Sequence, residues 1–156
     1  MKIKNLLLGL TLLFSTVALA QEKGDFNAFA GGTAALGTGS LFGVNAGVEY
    51  VFAENFSVAP SFTYYFGDAT QTAVNIDARY YLGDDSFNWF ATAGIGFNSI
   101  SVPAGAILVG SSTATGIRGG AGALFSISDN LDLLAIVAYD SAVSGVVPMV
   151  GVSFGL

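Results

Sequence analysis

The sequence predicts an eight-stranded antiparallel up-and-down transmembrane β-barrel. Three observations carry that prediction. Eight stretches of roughly ten residues alternate with period two, the signature of strands. In each, one face is almost free of charge, while the other is small, polar and rich in glycine. Tight turns alternate with looser loops between the stretches, as they do when strands cross a bilayer up and down.

The first residues stand apart. MKIKNLLLGLTLLFSTVALA places Lys2 and Lys4 before an apolar run from Leu6 to Leu13, and Ala18 and Ala20 form a small-x-small cleavage site. Residues 1–20 are therefore expected to be a signal peptide and 21–156 the barrel domain. The alternative, a transmembrane anchor, is disfavoured by the short apolar core. Beyond the leader, Lys23, Arg79 and Arg118 face eleven acidic residues, a formal charge of −8. Charged residues make up 10% of the chain, against about a quarter in soluble domains. No basic patch exists to neutralise phosphates, so nucleic acid is excluded as a partner. With no cysteine there is no disulfide framework, and with no histidine the commonest general base and metal ligand is missing.

The strands follow in order. The first runs from about Asp25 to Ala34. The second, Leu41–Ala53, sets Phe42, Val44, Ala46, Val48, Tyr50 and Phe52 against Gly43, Asn45, Gly47 and Glu49. In the third, Phe56–Phe66, the face of Phe56, Val58, Pro60, Phe62, Tyr64 and Phe66 opposes Ser57, Ala59, Ser61, Thr63 and Tyr65. The fourth, Ala73–Leu82, opposes Val74, Ile76, Ala78, Tyr80 and Leu82 to Asn75, Asp77, Arg79 and Tyr81. The fifth, Asn88–Asn98, puts Trp89, Ala91, Ala93, Ile95 and Phe97 opposite Thr92, Gly94, Gly96 and Asn98. The sixth, about Thr113–Ile127, carries Ile117, Ala121, Ala123, Phe125 and Ile127 on one side, with Arg118, Gly120, Gly122 and Ser126 on the other. In the seventh, Leu131–Asp140, Leu133, Ala135, Val137 and Tyr139 face away from Asp132. The eighth, Val146–Leu156, alternates Val150, Val152 and Phe154 with Gly151, Ser153 and Gly155. Pro60 and Pro148 cannot donate to a ladder and are expected to mark bulges or bends.

Glu54-Asn55, Gly83–Ser86 and Ser128–Asn130 read as tight turns. The looser connections lie around Gly37–Ser40, Gly67–Thr72, Ile100–Ser112 and Ser141–Gly145, with GTAALGTG (32–39) read as the first outer loop. After export the chain starts on the periplasmic side, which puts the tight turns and both termini there. Closure satisfies sheet edges that could not stay open in hydrocarbon. Tyr50, Phe52, Phe56, Tyr80, Phe87, Trp89, Phe125 and Phe154 lie near strand ends, where an interfacial girdle belongs. A soluble exported barrel would alternate as well, but it would have to expose this apolar face to water.

The stretch GVEYVFAENFSVAPSFTYYFG (47–67) joins a glycine-aromatic strand, an acidic-Asn turn and a second alternating strand. Tyr80-Tyr81-Leu82 precedes the next turn in the same way. In these features the chain resembles the small outer-membrane β-barrel proteins of Gram-negative bacteria, and among them the Bacteroidetes-type outer membrane protein β-barrel domain. The resemblance implies an outer-membrane location, contact with outer-membrane lipid, and the barrel-assembly machinery and periplasmic chaperones as transient partners. It implies no single shared activity. The final GVSFGL departs from members that end on phenylalanine.

No catalytic constellation emerges. No serine has a histidine to activate it, and Lys23 stands alone beside the leader. Asp84, Asp85 and Asp129 read as turn residues. Asp68, Asp84, Asp85 and Asp140 lack the spacing of a calcium loop. No cofactor or metal is expected. Strand parity does place Glu49, Asp77, Arg79, Arg118 and Asp132 on the polar face. An eight-stranded lumen is just wide enough to be filled by side chains, so these residues are expected to form an internal salt-bridge plug, with arginine's planar fork suited to the pairing. Asp77 and Arg79, two apart on one strand, are candidate partners. The expected function is a monomeric, non-enzymatic outer-membrane barrel with a structural or surface-interaction role. The alternatives are a narrow pore or carrier for small or apolar solutes, and a soluble periplasmic lipid-binding barrel.

Overall fold

A computed structural model describes residues 24–37, 39–67, 70–82, 87–101 and 111–156. Strands β1 (Phe26–Leu36), β2 (Ser40–Ala53), β3 (Phe56–Phe66), β4 (Thr70–Tyr81), β5 (Phe87–Ser101), β6 (Ser111–Ser128), β7 (Leu131–Asp140) and β8 (Gly145–Gly155) pair antiparallel, each with its neighbour in sequence. β1 pairs with β8 and closes the barrel. The signal-peptide reading and the turn at 83–86 lie outside the described residues. So does 102–110, although β5 and β6 extend into the stretch expected to be loop as far as Ser101 and Ser111. GTAALGTG is not a loop throughout, since β1 continues to Leu36.

Alternation sets the two faces. Phe42, Val44, Phe62, Ile76, Ile95, Ile117, Val137 and Val150 are exposed on the outside, in a belt that runs round the barrel. Soluble monomers rarely leave so continuous an apolar surface open to water, and the soluble lipid-binding alternative fails on this point. The prolines behave differently from expectation. Pro60 pairs with Ile76 and makes no bulge; β2–β3 pairing lapses at Val48 and Glu49, and the bulge lies at Val51/Ala53. Pro148 pairs with Val137, but β1–β8 pairing lapses at Ala34 and Ala35. A second bulge lies at Ser126/Ser128.

Ile76 points outward from mid-strand, between the inward Asn75 and Asp77. Ile76→Arg should therefore destabilise the barrel in lipid by about 2–4 kcal/mol, while Leu82→Arg, at the strand end, should cost about 0–1 kcal/mol. Urea unfolding of both variants in lipid vesicles checks this. Equal losses would contradict a spanning β4.

Candidate functional site

The lumen holds two charged groups at different heights. In the lower, nearer the tight turns, Arg79 Nη1 on β4 donates to Glu49 Oε2 on β2 at 2.9 Å. Neither is open to solvent: Glu49 is 0% and Arg79 2% exposed. Ser57 Oγ and the Tyr81 hydroxyl both donate to Glu49 Oε1, so the carboxylate is satisfied on both oxygens. A buried charge needs this degree of partnering. Two rings complete the site. The Arg79 guanidinium carbon lies 4.8 Å from the Phe29 ring centroid and 4.9 Å from that of Phe90. A desolvated cation gains about 2 kcal/mol from such a face.

The rings fit because glycines leave room for them. A Cβ on Gly47 would meet the tip of Phe29, and one on Gly122 would meet the tip of Phe90. β1 and β5 lie on opposite sides of the closed eight-strand ring. The Phe29–Arg79–Phe90 sandwich therefore spans the lumen.

In the upper group Arg118 on β6 is the centre. Its Nε lies 3.4 Å from Asp77 Oδ1 on β4, and its Nη1 lies 3.6 Å from Asp140 Oδ2 on β7. Asp140 is directly opposite Arg118 in the β6–β7 ladder, whereas Asp77 is reached across β5. Gly94 makes that reach possible, because it pairs with both Asp77 and Arg118 and its missing side chain leaves the gap. This group is looser than the lower one. The Asp77 contact is within ion-pair reach but is not aligned as a hydrogen bond. Between the groups lies a cavity of about 20 Å³, enough for roughly one water. Asn45, Asn75, Asp77, Arg79 and Arg118 line it, each with one buried polar atom that no protein group hydrogen-bonds among the described residues.

Sequence parity therefore placed Glu49, Asp77, Arg79 and Arg118 in the lumen, but the one expected pairing, Asp77 with Arg79, is replaced by two others. Arg79 bonds Glu49, and Asp77 pairs with Arg118 instead. Asp132 belongs to neither group. It sits at the tight-turn mouth, where it accepts a hydrogen bond from Ser126 Oγ at 2.8 Å. Its expected place is taken by Asp140, farther along the same face of β7 and read from sequence only as an oxygen donor. Phe29 and Phe90 were missed, although both share the parity of inward residues. Among the described residues no group of three acidic side chains could hold a metal ion.

The eight strand-end aromatics are all on the outer surface, and all lie at the tight-turn end. Ring pairs join Phe56 to Tyr80 at 4.7 Å and Phe87 to Phe125 at 4.8 Å, and Tyr50 packs on the neighbouring Phe26 at 4.8 Å. A second set, including Phe42, Tyr64, Phe66 and Tyr139, lies toward the other end.

Solved structures share this architecture. The N-terminal β-barrel domain of Pseudomonas aeruginosa OprF matches with a TM-score of 0.71 and 20% identity, over 87% of this chain and 100% of that one. The fold is that of the eight-stranded transmembrane barrels of outer membranes. Neisserial surface protein A (NspA) matches with a TM-score of 0.65 and 18% identity, over 85% of this chain and 97% of that one. Ail, the attachment invasion locus protein of Yersinia pestis, in complex with the heparin analogue sucrose octasulfate, gives 0.64 and 17%, over 86% and 100%. No family model and no curated protein matches the chain.

Proposed function

We propose that this chain is a non-enzymatic outer-membrane barrel with a plugged lumen, serving as a structural element of the envelope with a short-looped outer surface. The observation that carries the reading is the Phe29–Arg79–Phe90 sandwich bonded to Glu49, which fills the lumen between opposite walls. The leader supports export, with cleavage after Ala20. The start of β1 and the end of β8 share the end of the tight turns, which supports a periplasmic position for that end. The aromatic sets at the two ends suit the two membrane interfaces. The 47–67 hairpin favours placement with the Bacteroidetes-type barrels. Outer-membrane lipid, periplasmic chaperones and the barrel-assembly machinery are the partners this reading requires, and the barrel acts as a monomer.

Two other activities fare worse. A carrier or pore for small solutes would need a route past two buried charged groups. Binding of sulfated polymers, suggested by the Ail complex, needs cations on the outer loops. All five basic residues are Lys2, Lys4, Lys23, Arg79 and Arg118, and none is in an outer loop.

The protein refolded into a planar bilayer should show no discrete conductance, and the same should hold for Arg79→Lys. A reproducible step conductance in the unaltered protein would reject the plug. Cell fractionation with a heat-modifiability gel tests location independently: a soluble periplasmic band would reject the outer-membrane reading.

A further inference from the structure

Above the charged groups the lumen opens into a vestibule of about 480 Å³ at the end away from the termini. That volume is typical of small-molecule sites. Its chemistry differs from the rest of the lumen. Among the described residues that line it, none is ionisable and none is aromatic. Leu41 and Val143 supply an apolar wall and pack on a buried cluster with Ala35, in which Tyr65, Ala73 and Val147 lie behind the lining. On another side stands an amide pair, in which Gln71 Nε2 donates to Asn98 Oδ1 at 3.1 Å. Gln71 Oε1 and Asn98 Nδ2 make no other hydrogen bond among the described residues, so the pair keeps an acceptor and a donor with no protein partner there.

We propose that this vestibule is a binding cup for a small uncharged amphiphile, with an amide-like head on Gln71 and Asn98 and an aliphatic body against Leu41 and Val143. An ion would find no counter-charge among the described lining residues and would be desolvated without return. A sugar would find no ring on which to stack. An acceptor and a donor in one pair match a primary amide, which presents a carbonyl and an NH2 group. The cup is blind where the proposed plug holds; the binding chemistry itself does not depend on that plug.

The test is a titration of isotope-labelled protein in lipid nanodiscs with hexanamide, followed by NMR. Saturable shifts are expected at the Gln71 and Asn98 side-chain amides and at Ala142–Ser144, with none at Asp129–Asp132. Asn98→Leu should weaken the apparent affinity roughly tenfold. Ala114→Trp, which fills the cup, should abolish it; Ser112→Trp at the rim serves if that variant fails the heat-modifiability check. Hexanoate should bind at least about tenfold more weakly than hexanamide. Non-saturating shifts, shifts centred on outward residues such as Phe62 and Val150, or unchanged binding in the filled variant would overturn the proposal. Equal binding of hexanoate would overturn the neutral ligand class. Bilayer conductance reports on the plug alone, so the two readings can fail separately.

Discussion

Arg79→Met should lower the unfolding free energy of the refolded barrel by about 3–5 kcal/mol, the usual loss when one partner of a buried ion pair is removed. The variant leaves the Glu49 carboxylate buried with only Ser57 and Tyr81 as donors. It also removes the cation held between Phe29 and Phe90. Adding Glu49→Gln should restore a large part of the loss, because the stranded charge and not the missing bond is the main penalty. Denaturant titrations of the single and double variants in lipid measure the coupling. Equal stability of Arg79→Met and the parent would show that the pair contributes nothing. A double variant no better than the single would place the loss in the ring packing.

The second large effect is expected at Gly94. A Cβ there would collide with the Ile76 carbonyl and lie 2.8 Å from Asp77 Cα, and Asp77 Oδ1 is in its path as well. Gly94→Val should cost about 3 kcal/mol or prevent folding, since the nearest obstacle is backbone that cannot rotate away. Gly119→Ala is the matched control. It sits on the outer face of β6, and its nearest neighbour would be Thr92 O at 3.9 Å, so it should refold like the parent. Refolding yield read as heat-modifiable mobility distinguishes the two. Similar yields would mean that the β4–β6 gap is not needed for closure.

These two sites mark where the sequence is legible and where it stops being so. Period-two alternation determines which face a residue takes, so Glu49, Asp77, Arg79 and Arg118 could be placed in the lumen from parity. It does not determine height, because that depends on the stagger between strands. Asp77 and Arg79 look like partners along one strand, yet successive inward side chains sit at different levels. Pairing through Gly94 brings Arg118 to Asp77, and the register between β2 and β4 brings Glu49 to Arg79. Asp132 has the right parity and the wrong level. Asp140 has both, and its position opposite Arg118 follows from the 126–132 turn, which fixes the register of β6 and β7. Phe29 and Phe90 have a detectable signal, as large inward rings in an otherwise small-residue lumen. That signal is easy to pass over, because an inward ring carries no charge to mark it among the aromatics of a strand such as β5.

All the ion pairs described in the lumen join β2, β4, β6 and β7, and none touches the strands that close the barrel. Among the described residues the β1–β8 junction is held by its backbone ladder, by the approach of Gly31 to Gly151, and by one side-chain bond, Thr33 Oγ1 to Pro148 O at 2.9 Å. That ladder lapses at Ala34 and Ala35. Local opening needs little free energy where few bonds must break. In deuterated buffer, the amides of β1 from Thr33 to Leu36 and their partners on β8 should be the first strand amides to exchange. Those of β4 and β5, zipped continuously from Thr70–Ser101 to Tyr81–Phe90, should be among the last.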